Sequence, residues 1–66
     1  MTPAEFRAGR LSLKIDGRPM TQTQLAEVMG YAGHPVISAI ENARTAVPAQ
    51  AGRLMAMYLR HGLPDG

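Results

Sequence analysis

Residues 20–45 read MTQTQLAEVMGYAGHPVISAIENART, and this stretch decides the fold of the chain. A helix is expected to begin after Thr21, whose hydroxyl is a good N-cap, and to end at Gly30. A second helix is expected to begin near Gly33 or His34. The apolar positions at helical spacing are Leu25, Val28, Met29, Val36, Ile37 and Ile40. Two short helices joined by a glycine-bearing turn predict a helix-turn-helix.

Another helix is expected before this stretch. Residues 2–5 combine a capping hydroxyl, a proline at the first helical position and a glutamate three residues after the cap, which predicts a helix to about Leu13. Its apolar residues form two groups, Ala4, Ala8, Leu11 and Ile15 on one side and Phe6 and Leu13 on the other. We expect the helix to bury both sides, one of them on a second subunit, or to fray early, although misjudged helix limits would explain the pattern equally well. Asp16 to Pro19 predicts a turn.

A last helix is expected to open at Pro48 and to end at Gly62 and Pro64, with residues 64–66 frayed. The residues that share its apolar face are Ala51, Leu54, Met55 and Tyr58, with Leu59 beside them. Apolar residues that flank or follow this face are Met57, Leu59 and Leu63. This spare apolar surface predicts a dimer face.

Size and composition limit what the chain can be. Its 66 residues are enough for one domain, which would bury only about 60% of its unfolded surface, so a partner subunit would stabilise it. The net charge of +2 suits a polyanionic partner and equally an ordinary mildly basic surface. No segment has the length of a membrane span, and the start MTPAE lacks the layout of a signal peptide. We therefore expect a soluble, intracellular protein with no membrane partner.

Catalytic and metal-binding patterns are not visible in the sequence. There is no cysteine, and two histidines are too few and too far apart for an ordinary structural metal site. No nucleophile stands beside a base, and no glycine-rich phosphate loop follows a strand. We expect no enzyme activity, no metal and no cofactor.

The segment TQTQLAEVMG at residues 21–30, followed by ISAIEN at residues 37–42 and by Arg44, resembles the helix-turn-helix of the Cro and phage-repressor family (Xre type). Thr-Gln-x-x-Leu-Ala followed by Glu-Asn after Ile-x-x-Ile is a fairly specific combination. The resemblance implies an all-α fold, a small lambda-repressor-like four-helix bundle, with residues 1–66 as a single DNA-binding domain. A helix that projects from such a domain fits the major groove of double-stranded DNA.

The resemblance also implies which residues contact DNA. Those expected to face base edges are His34, Pro35, Ser38 and Ala39, and those expected to meet the DNA backbone are Gln22, Asn42, Arg44 and Thr45. Two of the expected phosphate contacts also have a physical reason. Gln22 lies at a helix N-terminus, which favours phosphate, and Arg44 is permanently charged. Asn42 is also expected to take a left-handed conformation that closes the second helix of the motif.

Two departures from the family pattern alter these expectations. Ile37 lies seven positions after Gly30, one more than in the common form of the family, so Tyr31 to Gly33 are expected to bulge or to start the next helix late. The reading helix also lacks Arg, Lys, Gln and Asn at its early exposed positions, where they would make the strong base contacts. Specificity is then expected to draw on Arg44, on Arg7 or Arg10 if the first helix approaches DNA, or on DNA shape and water. Glu41 is expected to bond internally, to the backbone or to Arg44.

The resulting functional hypothesis is a homodimeric, sequence-specific transcriptional regulator, most simply an autoregulatory repressor on an inverted-repeat operator. It would work in the cytoplasm of a bacterium or a phage-infected host, without a small-molecule ligand. Stand-alone proteins of this size in phage operons include repressors associated with anti-CRISPR genes, and the similarity to that group is generic. The alternative is an antitoxin-like protein-binding module on a helix-turn-helix scaffold.

Overall fold

A computed structural model describes residues 1–64, which form four helices and one short hairpin. The elements are α1 (Pro3–Ser12), β1 (Lys14–Ile15), β2 (Arg18–Pro19), α2 (Gln22–Met29), α3 (His34–Glu41) and α4 (Ala49–His61). The predicted helical class is thereby confirmed. None of these helices has the length and apolar character that crossing a membrane requires. Residues 65 and 66, which the sequence predicts to be frayed, lie outside the described part.

Reciprocal caps begin α1 and α2. The Thr2 hydroxyl accepts from the Glu5 amide at 3.1 Å, and Glu5 Oε1 accepts from the Thr2 amide at 2.8 Å. The bond from the Thr2 amide is the main reason why the pKa of the Glu5 carboxyl is lowered. At α2 the Thr21 hydroxyl accepts from the Gln24 amide at 3.1 Å, and Gln24 Oε1 accepts from the Thr21 amide at 2.9 Å. Both predicted helix starts are confirmed, and Gln24 completes the second cap.

The turn predicted at residues 16–19 is confirmed, but it belongs to a hairpin that the sequence did not predict. Lys14 pairs with Pro19 and Ile15 with Arg18. The two residues between the strands, Asp-Gly, both have positive φ, 54° and 79°, as a type I′ turn requires. Strands of two residues are too short to show an alternating pattern, which is why only the turn was predictable.

The core lies between the four helices. Its largest fully buried side chains are Phe6, Met20, Leu25, Ile37, Ile40 and Met55. α1 faces this core with its Phe6 side only, whereas Leu11 on the other side is 39% exposed. One apolar side of α1 is therefore buried within the chain, and burial of the other on a second subunit stays a prediction. The second side lines an open groove of about 720 Å³ with residues 41–43.

The connection between α2 and α3 follows the predicted boundaries. Gly30 ends α2 in the left-handed conformation, at φ 82°, and the next amide, that of Tyr31, donates to the Ala26 carbonyl at 2.8 Å. This bond satisfies one of the last free carbonyls of α2. His34 and Pro35 then begin α3, where a proline costs no hydrogen bond. α2 and α3 make the most extensive contact between any two helices of the described chain.

The left-handed residue after α3 is Ala43, at φ 58°, and not Asn42, at φ −91°. The prediction for Asn42 was wrong because two backbone bonds, Arg44 amide to Ala39 carbonyl and Ala43 amide to Ile40 carbonyl, fix the reversal one residue later. An alanine in this region is strained by roughly 1 kcal/mol.

Replacing Ala43 by glycine is therefore expected to stabilise the protein. Relief of the strain outweighs the extra entropy of glycine in the unfolded chain, and the net gain is about 0.5 kcal/mol. Urea unfolding followed by circular dichroism measures it. Ala46→Gly is the matched control, since Ala46 is exposed and has no positive φ. Equal effects of the two substitutions would show that Ala43 carries no strain.

Candidate nucleic-acid interface

The residues predicted to contact DNA lie on α3, just after it and at the start of α2. α3 buries Ile37 and Ile40, so the remaining positions face outward or lie at the rim. His34 and Pro35 are exposed, and Ser38 and Ala39 are half-buried. His34 and Ser38 are one turn apart and share one side of the helix. The α3 residues thus form one outward surface.

The segment after α3 continues this surface. Asn42 Nδ2 donates to the Ser38 hydroxyl at 3.1 Å, which ties the end of the helix to its middle. The Arg44 amide donates to the Ala39 carbonyl at 2.9 Å, which holds this segment against the last turn of α3. The side chains of Asn42, Arg44 and Thr45 are exposed. The structure therefore places them next to the outward side of α3, although one N–H of the Asn42 side-chain amide is bonded to Ser38.

Gln22 is the first residue of α2 and is half-buried. The capping bonds of Thr21 and Gln24 leave the backbone amides of Gln22 and Thr23 free to meet an anion. α3 differs, because Pro35 has no amide proton and the Val36 amide donates to the Gly33 carbonyl at 3.3 Å. Of the two helix N-termini, that of α2 is the better equipped for a phosphate.

A buried ion pair lies behind Gln22. Arg10 Nε lies 2.6 Å from Glu41 Oε2 and Nη2 lies 3.0 Å from Oε1, while Nη1 donates to the Met20 carbonyl at 2.7 Å. The two side chains are 10% and 4% exposed. Gln22 Nε2 donates to the same Glu41 oxygen, Oε1, at 3.2 Å. α1, α2 and α3 are thus joined by one polar network.

This network corrects two sequence predictions. Glu41 bonds internally, as expected, but its partners in the described chain are the side chains of Arg10 and Gln22 and neither the backbone nor Arg44. Arg10 is consequently buried and has no free charge to offer to DNA; Arg7 on the same helix is exposed. The sequence held one signal for this arrangement. Arg10 follows Phe6 by four residues and precedes Leu13 by three, which puts it on the buried side of α1.

The network also sets how Gln22 can act. Its amide has two N–H donors, and Glu41 accepts from one of them, so the other is left for an external acceptor. Arg10 balances the charge of Glu41, so Gln22 is oriented without a net negative charge behind it. The site accordingly presents a fixed donor next to free backbone amides.

The electrostatics of this half of the chain favour an anionic partner. Between residues 28 and 64 the one acidic side chain is Glu41, which Arg10 neutralises. The same stretch holds three arginines, at positions 44, 53 and 60. The outward side of α3 therefore faces solvent with no carboxylate of its own.

No protein-family model, curated protein or solved structure matches this chain. Within residues 1–64, no group of three or more His, Asp or Glu side chains could hold a metal ion. The function is therefore inferred from the geometry and charge of the surface formed by α3 and its flanking residues.

Proposed function

We propose that this protein is a sequence-specific DNA-binding transcriptional regulator in which α2 and α3 act as a helix-turn-helix. The observation that carries the proposal is the outward side of α3, free of exposed acidic side chains, with Arg44 just beyond its last turn and Gln22 bonded to Glu41 at the same end. An α-helix with its side chains is about 10–12 Å in diameter, and the major groove is about 12 Å wide. α3 has the size to enter it.

The proposed contacts divide into two kinds. His34 and Ser38 carry the polar atoms that can hydrogen-bond base edges, and Pro35 and Ala39 offer apolar surface to thymine methyl groups. The remaining residues are proposed to meet phosphates: Gln22, Asn42, Arg44 and Thr45. Because the reading side chains are short, the phosphate contacts and DNA shape supply a large part of the affinity.

We further propose a homodimer that represses its own promoter through an inverted repeat, with the two α3 helices about 34 Å apart. Met57 and Leu59 were predicted to share the dimer face, but side chains two positions apart on a helix are rotated by about 200° from each other. Leu59 lies near Gly9 of α1, where an added Cβ would come within 3.3 Å of Leu59 Cδ1. The surface around Leu59 and the half-buried Leu63 is the proposed contact, and Met57 lies elsewhere.

A second candidate is an antitoxin-like protein-binding module on the same helix pair. The short side chains of α3 favour it, because they make few strong base contacts, and so does the commitment of one Gln22 donor to Glu41.

Selection from a pool of random DNA duplexes distinguishes the two candidates. The proposal expects enrichment of a two-fold symmetric sequence, and a mobility shift with that duplex that weakens steeply between about 50 and about 200 mM salt. If the protein enriched no sequence and shifted no duplex at the lower salt concentration, the DNA proposal would fail and the protein-binding module would be favoured.

Arg44→Ala is expected to weaken binding to all duplexes alike and to reduce the salt slope by about 1, because it removes one phosphate contact without touching a base. Arg18→Ala, which removes an exposed arginine on the hairpin, is the matched control and should change neither quantity. Mobility shifts over a salt series measure both. A changed sequence preference with an unchanged slope would mean that Arg44 reads bases.

A further inference from the structure

We propose that the outer side of α4 is a docking surface for an acidic helix of a protein partner, held by one apolar anchor between two arginines. The surface, called here the α4 basic stripe, consists of Arg53, Ala56, Met57, Arg60 and His61. It lies on a different helix from the proposed DNA contacts, and a partner could bind it whether or not the protein binds DNA.

The stripe follows from the helical pattern of α4. Ala51, Met55 and Tyr58 are buried, which turns the opposite side of the helix to solvent. Arg53, Met57 and Arg60 follow one another at intervals of four and three residues, the spacing that keeps side chains on one side. The two arginines are seven positions apart, which places their Cα atoms about 10.5 Å apart along the axis.

The centre of the stripe is apolar and open. Met57 is 50% exposed, whereas Met20, Met29 and Met55 are buried or half-buried. The five residues of the stripe line a shallow depression of about 260 Å³. An apolar side chain of a partner that lies across the helix would cover Met57 and enter this depression.

The charged side chains of α4 are all of one sign. α4 contains no acidic residue, and the described chain has none from residue 42 to residue 64. The ion pair found among residues 1–64 is that of Arg10 with Glu41, which leaves the guanidinium groups of Arg53 and Arg60 without a carboxylate partner there. A partner that brings carboxylates to both ends of the stripe gains two favourable interactions and meets no carboxylate of α4 itself.

The combination of features points to a protein partner. Protein interfaces have an apolar centre inside a polar rim and are enriched in methionine and arginine. Side chains at positions i, i+4 and i+7 lie on one side of a helix and are typical anchors in contacts between helices. Two arginines are fewer than the four to eight basic residues of a typical lipid-binding cluster, and phosphates would leave Met57 uncovered. A second copy of the stripe is disfavoured, since arginine would face arginine. The partner segment is a helix with two carboxylates two turns apart and an apolar residue between them.

The test is an unbiased selection with the full chain as bait. A displayed library of about 20-residue helical peptides, randomised on one face, is panned on the protein. The proposal expects enriched peptides with Asp or Glu at both ends of a two-turn interval and an apolar residue between. Failure to enrich any peptide, or enrichment of peptides without paired carboxylates, would overturn it.

Variants then locate the binding site of an enriched peptide by fluorescence anisotropy. Arg53→Glu combined with Arg60→Glu should weaken binding at least tenfold, and replacing the two carboxylates of the peptide by lysine should restore it. Met57→Ser should also weaken binding, while Arg18→Glu, the same charge reversal on the hairpin, should not. Circular dichroism confirms that each variant is folded. Unchanged affinity in the double variant would refute the site.

Two other ligands serve as competitors. Random-sequence duplex DNA and vesicles that contain phosphatidylglycerol should not displace the peptide at moderate salt; displacement that depends on Arg53 and Arg60 would show that the stripe binds phosphates, against the proposal. His34→Glu, which is aimed at the DNA contacts, should leave peptide binding unchanged. The docking proposal and the DNA proposal can therefore fail separately.

Discussion

Glu41→Leu is expected to lower the free energy of unfolding by about 3 kcal/mol, because it leaves the Arg10 guanidinium buried without its counter-charge. A domain of this size has a total stability of roughly 5 kcal/mol, so the variant should be close to unfolding at 25 °C. The midpoint of urea unfolding, followed by circular dichroism, measures the loss. Glu27→Leu, which removes an exposed carboxylate from α2, is the control and should shift stability by no more than about 0.5 kcal/mol.

The double variant Arg10→Met with Glu41→Leu completes the cycle. It removes both buried charges and leaves the Gln22 amide without its acceptor and the buried Met20 carbonyl without its donor, the latter at a cost of about 1–3 kcal/mol. The double variant is therefore expected to lose less stability than the two single variants added together. If Glu41→Leu proved as harmless as Glu27→Leu, the ion pair would not be the link between α1 and α3 that its distances indicate.

His34→Glu is expected to weaken DNA binding roughly 100-fold while leaving the protein slightly more stable. A carboxylate on the outward side of α3 would face phosphates and bases, where like-charge repulsion costs several kcal/mol. The same carboxylate lies in the first turn of α3, which has no acidic residue and no side-chain cap, and a negative charge there stabilises a helix by about 0.5 kcal/mol. Weaker binding in a variant that is more stable than the original protein cannot be caused by a folding defect, so it would indicate that residue 34 contacts the DNA.

The matched control for His34→Glu is Gln50→Glu. The first turn of α4 likewise has no acidic residue and no side-chain cap, and Gln50 is exposed. It should gain the same stability and keep full affinity for DNA. Affinity and salt slope come from anisotropy titrations with a selected duplex. Equal loss of binding in both variants would indicate a general effect of net charge and would remove α3 from the proposed interface.

The helix limits were largely predictable because their signals are local. The caps at Thr2 and Thr21, the stop at Gly30 and the proline at the start of α3 each act within four residues of the helix end. The prediction for Asn42 was wrong because the preference of asparagine for the left-handed conformation is weak. The backbone bonds that close α3 instead place the reversal at Ala43. Local chemistry predicts that a helix ends, and the register of the last bonds decides where.

The polar network was predictable only in part. Arg10 and Glu41 are 31 positions apart, and no periodic pattern connects residues so distant. Burial of Arg10 could be read from its place beside Phe6 and Leu13, but its partner depends on how α1 crosses α3. The bond from Gln22 to Glu41 depends on the same crossing. The sequence predicted on which helices Gln22 and the α3 residues lie, and tertiary packing determined which of their donors remain free.

The most direct test of the DNA proposal is a nuclear magnetic resonance titration of the ¹⁵N-labelled chain with a duplex selected from the random pool. The amide signals expected to move are those of residues 22–23, 34, 38–39 and 42–45, while those of the outer side of α4 stay in place. Movement confined to α4 or to the hairpin, or no movement with duplex in excess, would contradict the proposal that α3 and its flanking residues bind DNA.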